Sequence, residues 1–296
     1  MMKNGSFRQL NRGETTMKET LTVTQRQRLS ELNAEAAWLD LTFENAEERD
    51  HFYKKKEAFL TKHNKEKLLS LLKEKHQPLV CEIEQQLISW LTKEEGFTQV
   101  VTPMIISGEK LSRMTITPEH PLSGQVFWLD PKKCLRPMLA PNLYEMMRDI
   151  QKVVKEPVRI FECGPCFRKE TQGSQHMNEF TMLNLVDLAG ADPGSQMERL
   201  VQLAEDAMKA IGMTDYELEI TASEVYGETL DIVCGDLEIA SGAYGPHPLD
   251  EKWGIFDTWV GIGFGIERIA MAKGGYQSIK RVGRSLSFLD GVRLNL

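Results

Sequence analysis

The chain has 296 residues, 41% hydrophobic and 27% charged, with a formal net charge of −7. No apolar run approaches the roughly 20 residues that span a bilayer, and the polar residues 1–20 carry no secretory signal, so a cytoplasmic protein with no membrane partner is expected. Five cysteines, an odd number, exclude a disulfide framework, and the length suits one large domain or two small ones. Residues 1–20 read as a disordered extension, in which Met17 offers an alternative start. Over 24–41, Leu29, Leu32, Ala36 and Leu39 fall near helical spacing and predict a helix. Residues 45–74 predict one or two charged helices with Phe52, Phe59, Leu68 and Leu72 as a thin apolar stripe. Residues 21–77 thus form an N-terminal helical module. Over 49–77 nine lysines and arginines stand against four acids, an excess of +5 that leaves −12 for the rest. A basic helix on an acidic protein reads as a docking site for a polyanion, or as a solvated helix face.

After Pro78, Leu79, Ile83, Leu87, Trp90 and Leu91 form the apolar face of a helix that ends at Gly96. Residues 97–102 predict a strand, and 126–129 a short one. Pro141 is placed for a first helical turn, and the helix predicted over 142–154 sets Leu143, Tyr144 and Met147 on adjacent positions of one face. Residues 195–211 predict an amphipathic helix closed by Gly212. Strands over 217–221, 229–233 and 237–240 extend an antiparallel sheet, and the sum of elements is α+β. Val225-Tyr226-Gly227 joins two of them, either as a movable lid or as a surface aromatic. Cys163-Gly164-Pro165-Cys166 has the spacing of a redox pair but leads into a strand, where two buried small residues are the better reading.

Two stretches carry chemistry. Residues 161–188 read as a hairpin whose first strand runs to Glu170 and whose return begins at Phe180. Alternation then places Arg168 and Glu170 on one face, and Phe180, Met182, Asn184 and Val186 on one face of the return strand. A cation, a carboxylate, an aromatic plate and an amide suit a nucleotide and a small polar ligand; the same pattern also fits a solvated amphipathic hairpin. In Trp259-Val260-Gly261-Ile262-Gly263-Phe264-Gly265 glycine alternates with apolar residues, so one face is bare backbone, the mark of a close ligand or chain. Glu267 and Arg268 then open a helix, IERIAMAK. The spacing is not the dinucleotide fingerprint.

These stretches resemble motifs two and three of class II aminoacyl-tRNA synthetases: Phe167-Arg168-x-Glu170, a loop with His176, Phe180, then glycines running into Glu267-Arg268. A weaker first motif fits residues 79–104, ending at Pro103. More narrowly, RPMLAPNLYEMM (136–147), FRKETQGSQHMNEFTMLN (167–184), GDLEIASGA (235–243) and the final GRSLSFLDGVRLNL are similar to the catalytic subunits of bacterial pyrrolysyl-tRNA synthetases, a resemblance that covers residues 20–296.

The resemblance implies that residues 78–296 are a class II catalytic domain. It also implies a homodimer built on the first motif, whose helix could equally be an intramolecular core element. It implies ATP with Mg²⁺, Arg168 on the α-phosphate, Glu170 on the adenine amine, Phe180 and Arg268 on either side of the base, and His176 near the outer phosphates. Glu238 and Ser241 then hold Mg²⁺ on the phosphates. The amino-acid pocket becomes Ala140, Leu143, Tyr144, Met147, Asn184, Val186, Tyr226, Trp259 and Gly261, apolar apart from one amide. That pocket suits a long aliphatic side chain bearing one carbonyl. The implied partners are the pyrrolysine tRNA, contacted by the basic residues 21–77, and a separate N-terminal tRNA-binding subunit in trans. About twenty residues follow the motif-three helix, which is taken to leave no room for an anticodon-binding domain. Two other readings stay open: a freestanding paralogue that acylates a small molecule or protein through an adenylate, and a non-catalytic regulator.

Overall fold

The structure, a computed structural model, describes residues 18–155, 157–169, 173–223 and 225–296. They divide into two compact units, residues 18–75 with Val292–Leu296 and His76–Gly291. In the first, β1 (Glu19–Thr20) pairs antiparallel with β2 (Thr42–Phe43), so part of the predicted extension is ordered strand. The single helix predicted over 24–41 is two, α1 (Val23–Glu31) and α2 (Ala36–Leu39). Thr22 and Gln25 cap the start of α1 reciprocally. Asn33 then turns left-handed at φ 66° and breaks the run, a conformation asparagine tolerates because its short side chain bonds locally. α3 (Ala46–Lys73) is one 28-residue helix. Its buried stripe differs from the predicted one: Leu60 and Asn64 are buried, while Phe59 and Leu72 are exposed. Asn64 escapes an apolar-periodicity search because its amide is a structural donor, to Leu32 O at 3.0 Å and Leu60 O at 2.9 Å.

The second unit is built on a seven-stranded sheet in the order β3-β6-β7-β11-β10-β9-β8. Its strands are β3 (Thr98–Gln99), β6 (Val158–Phe167), β7 (Glu179–Leu188), β8 (Glu217–Ser223), β9 (Gly227–Cys234), β10 (Leu237–Gly245) and β11 (Trp259–Gly265). Every pair is antiparallel except β3 with β6, and flanking helices complete an α+β fold. One face is covered by α4 (Leu79–Lys93), α7 (Gln196–Ala210) and α8 (Ile266–Lys273), whose apolar stripes meet Phe161, Leu183, Leu185, Ile262 and Phe264 in a continuous core. Ile83, Leu87, Trp90 and Leu91 of the first-motif helix all lie in that core, as its intramolecular reading requires. The other face carries α5 (Gly108–Arg113) and α6 (Ala140–Gln151), which pack over Val158, Ile160, Val186 and Trp259. The small ladder of β4 (Ile105–Ser107) and β5 (Lys133–Leu135) lies beside them in the chain.

Several element ends differ from expectation. The strand predicted over 97–102 shortens to two residues, with Phe97 taken into the core. Residues 126–129 contribute only the isolated bridge Trp128–Cys134, because the segment turns back at once onto β5. α6 begins two residues early, with Pro141 in its first turn, and stops at Gln151. β6 stops at Phe167 because Lys169 N turns away to donate to Gln125 O at 2.7 Å. Cys163 and Cys166 both lie on β6, on opposite faces, and burial pushes the Cys166 thiol up to about 12, so neither is set up for redox chemistry.

A buried ion pair fastens the strand to the loops above it. Arg136 and Glu162 are 2.7 Å apart and almost wholly buried. Arg136 also donates to Pro165 O at 2.8 Å and to Thr102 O at 3.2 Å. Glu162 accepts from Thr102 N and Oγ1 at 3.0 and 2.6 Å. Gly164 is required beneath this pair, since a Cβ there would lie 2.5 Å from Arg136 Nη2. Replacing Glu162 with alanine leaves a buried guanidinium without its counter-charge, a change that typically costs about 3–5 kcal/mol. Urea denaturation should show a loss of that size; a loss below about 1 kcal/mol would mean that the backbone bonds alone hold Arg136.

Candidate active site

Alternation along β11 puts Trp259, Gly261, Gly263 and Gly265 on the face of the sheet that carries α6, and Val260, Ile262 and Phe264 in the opposite core. The neighbouring strands complete two rungs. Asn184 of β7 pairs with Gly263, which pairs with Ser241 of β10, itself opposite Asp231 of β9. Two residues along, Val186 pairs with Gly261 and Gly261 with Ala243. The missing side chains leave a trough that opens into a cavity of about 260 Å³. Every described residue singled out from the sequence lines it: Ala140, Leu143, Tyr144, Met147, Arg168, His176, Phe180, Asn184, Val186, Tyr226, Glu238, Ser241, Trp259, Gly261 and Arg268. Glu170, the carboxylate expected to meet a base amine, lies outside the described residues.

One end is charged. Although β6 has ended, Arg168 N still bonds Asn178 O across the hairpin at 3.0 Å. Its side chain is aimed by a bond from Nε to Pro137 O at 2.9 Å, and the guanidinium lies 5.3 Å from the centre of the Phe180 ring. Arg268 donates to Glu238 O at 3.0 Å and stands 3.5 Å from Glu238 Oε1. Burial raises the Glu238 carboxyl above its usual range, and Arg268 opposes that shift. Ser241 gives its proton to Asp231 Oδ1 at 2.6 Å, so only lone pairs remain for the cavity. Glu238 and Ser241 therefore offer hard oxygen donors that fit a divalent cation. Among the described residues no cluster of three histidine, cysteine or acidic side chains could hold a metal ion.

The other end is apolar and walled by aromatics. Tyr144 stacks on Trp253 at 5.3 Å and meets Trp259 edge-on at 5.8 Å. Tyr226 is no surface aromatic: half-buried, it meets Trp259 and His247 edge-on at 6.0 and 5.8 Å. Ser223 Oγ accepts from the backbone N of Val225 and of Tyr226 at 3.3 and 3.2 Å, which holds the turn that presents Tyr226. Asn184 contributes an amide to the wall from the polar rung of β7.

Three carboxylates went unnoticed as members of this site. Glu267, read only as a helix opener, is buried and takes Thr181 N on both oxygens at 3.0 and 2.8 Å, tying α8 to the strand position beside Phe180. Asp231 orients Ser241. Asp250 accepts from Tyr144 and Trp259. Their signal in sequence was weak, since an acidic side chain is almost never fully buried unless paired.

A sheet with a bare central strand, an arginine at the end of a hairpin and a second arginine opening the next helix define a class of protein. The model of the tRNA synthetases class II core domain (F) matches residues 64–291, and the chain belongs to that family. It is similar to a solved Desulfitobacterium hafniense protein, "PylSc, a pyrrolysyl tRNA synthetase", with 48% identity over 97% of this chain and 99% of that one and a TM-score of 0.87. A second structure of pyrrolysyl-tRNA synthetase from the same organism is 50% identical over 94% of this chain and 99% of that one, with a TM-score of 0.86. Among curated relatives a serine–tRNA ligase from Rhizobium etli is 27% identical over 138 residues, 44% of this chain and 32% of that protein. The chain thus spans about a third of the length of that relative.

The trough makes a prediction about packing alone. A methyl at Gly263 would sit 2.9 Å from Asn184 Oδ1 and displace that amide, whereas one at Gly265 meets nothing closer than 3.6 Å. Gly263→Ala should therefore melt below Gly265→Ala in calorimetry; the reverse order would contradict the rung.

Proposed function

We propose that the protein charges tRNA with pyrrolysine in two steps, activating the amino acid as an adenylate and passing it to a ribose hydroxyl at the tRNA terminus. The observation that carries this reading is one cavity whose two ends differ. The charged end gathers Arg168, Phe180, Glu238 and Arg268, and the other end is walled mainly by apolar and aromatic side chains, with the Asn184 amide beside them. High identity over nearly full length to pyrrolysyl-tRNA synthetase structures supports the choice of amino acid.

In the first step the amino-acid carboxylate attacks the α-phosphorus of ATP and pyrophosphate leaves. Negative charge builds on the α-phosphate oxygens, where a fixed guanidinium stabilises the transition state more than the ground state. Arg168 fills that role, held in place by Pro137 O. Phe180 and Arg268 flank the purine, Glu170 accepts from its amine and His176 lies by the outer phosphates. Glu238 and Ser241 would hold the Mg²⁺ that accompanies ATP, which would supply positive charge to offset that of the phosphates. At the other end, Ala140, Val186 and Gly261 leave volume, Leu143, Tyr144, Met147, Tyr226 and Trp259 supply apolar wall, and Asn184 bonds the side-chain carbonyl. A charged side chain would find no counter-charge there.

The basic helix α3 is assigned to tRNA, because Lys55, Lys62 and Lys65 are exposed and share one face. A separate tRNA-binding subunit in trans belongs to the same reading. A homodimer is supported by apolar side chains left at the surface beside the first motif, Val101 at 88% exposure with Met104, Ile105, Trp128 and Leu129. Action on tRNA in the cytoplasm belongs to the same proposal; among the described residues no helix is long and apolar enough to cross a membrane.

The direct test is aminoacylation of candidate tRNAs with candidate amino acids; acylation by pyrrolysine and not by the standard amino acids is the expected result. Arg168→Ala should lower kcat for ATP–pyrophosphate exchange by about 10²–10³, as loss of one preorganised donor does, and an unchanged kcat would remove Arg168 from the mechanism. Replacing Lys55, Lys62 and Lys65 with alanine should flatten the salt dependence of tRNA binding, by about 0.7–0.9 in log–log slope for each phosphate that is no longer neutralised. An unaltered slope would place the tRNA elsewhere.

A further inference from the structure

Behind the apolar wall lies a carboxylate that the two-step reaction does not use. Asp250 is 1% exposed and opens the short 3-10 turn Asp250–Trp253, between β10 and β11 in the chain. It does not line the cavity, but it grips two residues that do. Its Oδ1 accepts from the Tyr144 hydroxyl at 2.8 Å, and its Oδ2 accepts from Trp259 Nε1 at 2.7 Å and from His247 N at 2.6 Å. Tyr144 comes from α6 and Trp259 from β11, so one side chain joins two walls of the pocket that no backbone ladder connects.

The chemistry of the three donors makes the choice of acid specific. An indole N–H and a backbone N–H can only donate, and an ionised carboxylate can only accept. Burial, with Tyr226 and Asp250 nearby, holds the Tyr144 phenol far above its usual range, so the ring keeps its proton and gives it to Asp250. The edge-on angle of 80° between Tyr144 and Trp259 is thus set from behind by a common acceptor. An asparagine has the same shape but only one acceptor atom. If that atom serves Trp259 and His247, an NH₂ group faces the Tyr144 hydroxyl, which must reverse; if it serves Tyr144, two donors face the NH₂.

We propose that Asp250 is a positioning residue for amino-acid selection: by bonding Tyr144 and Trp259 at once it fixes the angle between the two aromatic walls and so the shape of the closed end of the pocket. The proposal rests on reading that end as the amino-acid site. It concerns the amino acid alone, since Asp250 touches nothing at the charged end.

The test is ATP–pyrophosphate exchange with the full chain, wild type and Asp250→Asn, measuring KM for amino acid and for ATP separately, with pyrrolysine and a series of Nε-acyl-lysines. Loss of one to two buried hydrogen bonds should raise the amino-acid KM by about tenfold and leave the ATP KM within about twofold. Preference among acyl groups of different bulk should narrow, because the wall angle is no longer fixed. An unchanged amino-acid KM, or equal rises in both KM values, would overturn the proposal, the latter marking a residue of general structure. Absence of exchange by the wild-type chain with any of these amino acids would overturn instead the amino-acid reading on which it rests. Should Asp250→Asn fail to bind ATP and melt early, Tyr144→Phe carries the test. It removes the donated proton and keeps the ring, so the same split between the two KM values is expected, and an unchanged amino-acid KM would again overturn the proposal.

Discussion

Three glycines at alternate positions of a central strand are the constraint from which the site follows. A glycine inside a strand is destabilising by roughly 0.5–1 kcal/mol relative to alanine, and β11 carries them at 261, 263 and 265. The opposite face of the same strand offsets that cost: Val260, Ile262 and Phe264 are essentially inaccessible and join the helices α4, α7 and α8 in one core. The sheet is therefore solid on one side and hollow on the other. Because β7 and β10 pair on either side of β11, the hollow is flanked in register by Asn184 and Ser241 on one rung and by Val186 and Ala243 on the next. A polar rung and an apolar one thus lie side by side in a single trough.

A hollow sheet needs a frame, and buried polar bonds provide it. Arg136 lies across β6 over Gly164 and binds Glu162, Pro165 O and Thr102 O, while Arg136 O accepts from Phe167 N at 3.0 Å. The next residue, Pro137, supplies the carbonyl that orients Arg168. The stability of the loop and the direction of the Arg168 guanidinium thus share one segment. On the far side Glu267 clamps Thr181, and in the rear Asp250 clamps the aromatic wall. Glu162 and Asp250 are carboxylates out of water that are each compensated by several donors, the condition under which a buried charge is tolerated.

Much of this arrangement was legible in the sequence, for particular reasons. The glycine alternation, the turn from β11 into Glu267-Arg268 and the facing side chains Phe180, Met182, Asn184 and Val186 are period-two patterns, and the structure keeps their faces. Pro141 announced the start of α6, and Gly96 and Gly212 follow helix ends with φ of 71° and 65°. What could not be read depends on partners far away in the chain. Asn64 carries no apolar signal, yet it is buried and serves the carbonyl of Leu32. Asp250 and Tyr144 lie 106 positions apart, and no local spacing connects them. The break at Asn33 turns on one left-handed residue, and the early stop of β6 at Phe167 on one backbone bond from Lys169, rather than on periodicity.

The assignment of the two ends of the trough is tested most directly by a crystal structure of the protein with a non-hydrolysable ATP analogue. The account predicts the purine against the Phe180 ring, the α-phosphate within hydrogen-bonding distance of Arg168, and the apolar end beyond Gly261 free for an amino acid. A nucleotide seated among Tyr144, Tyr226 and Trp259, or outside the trough altogether, would contradict it.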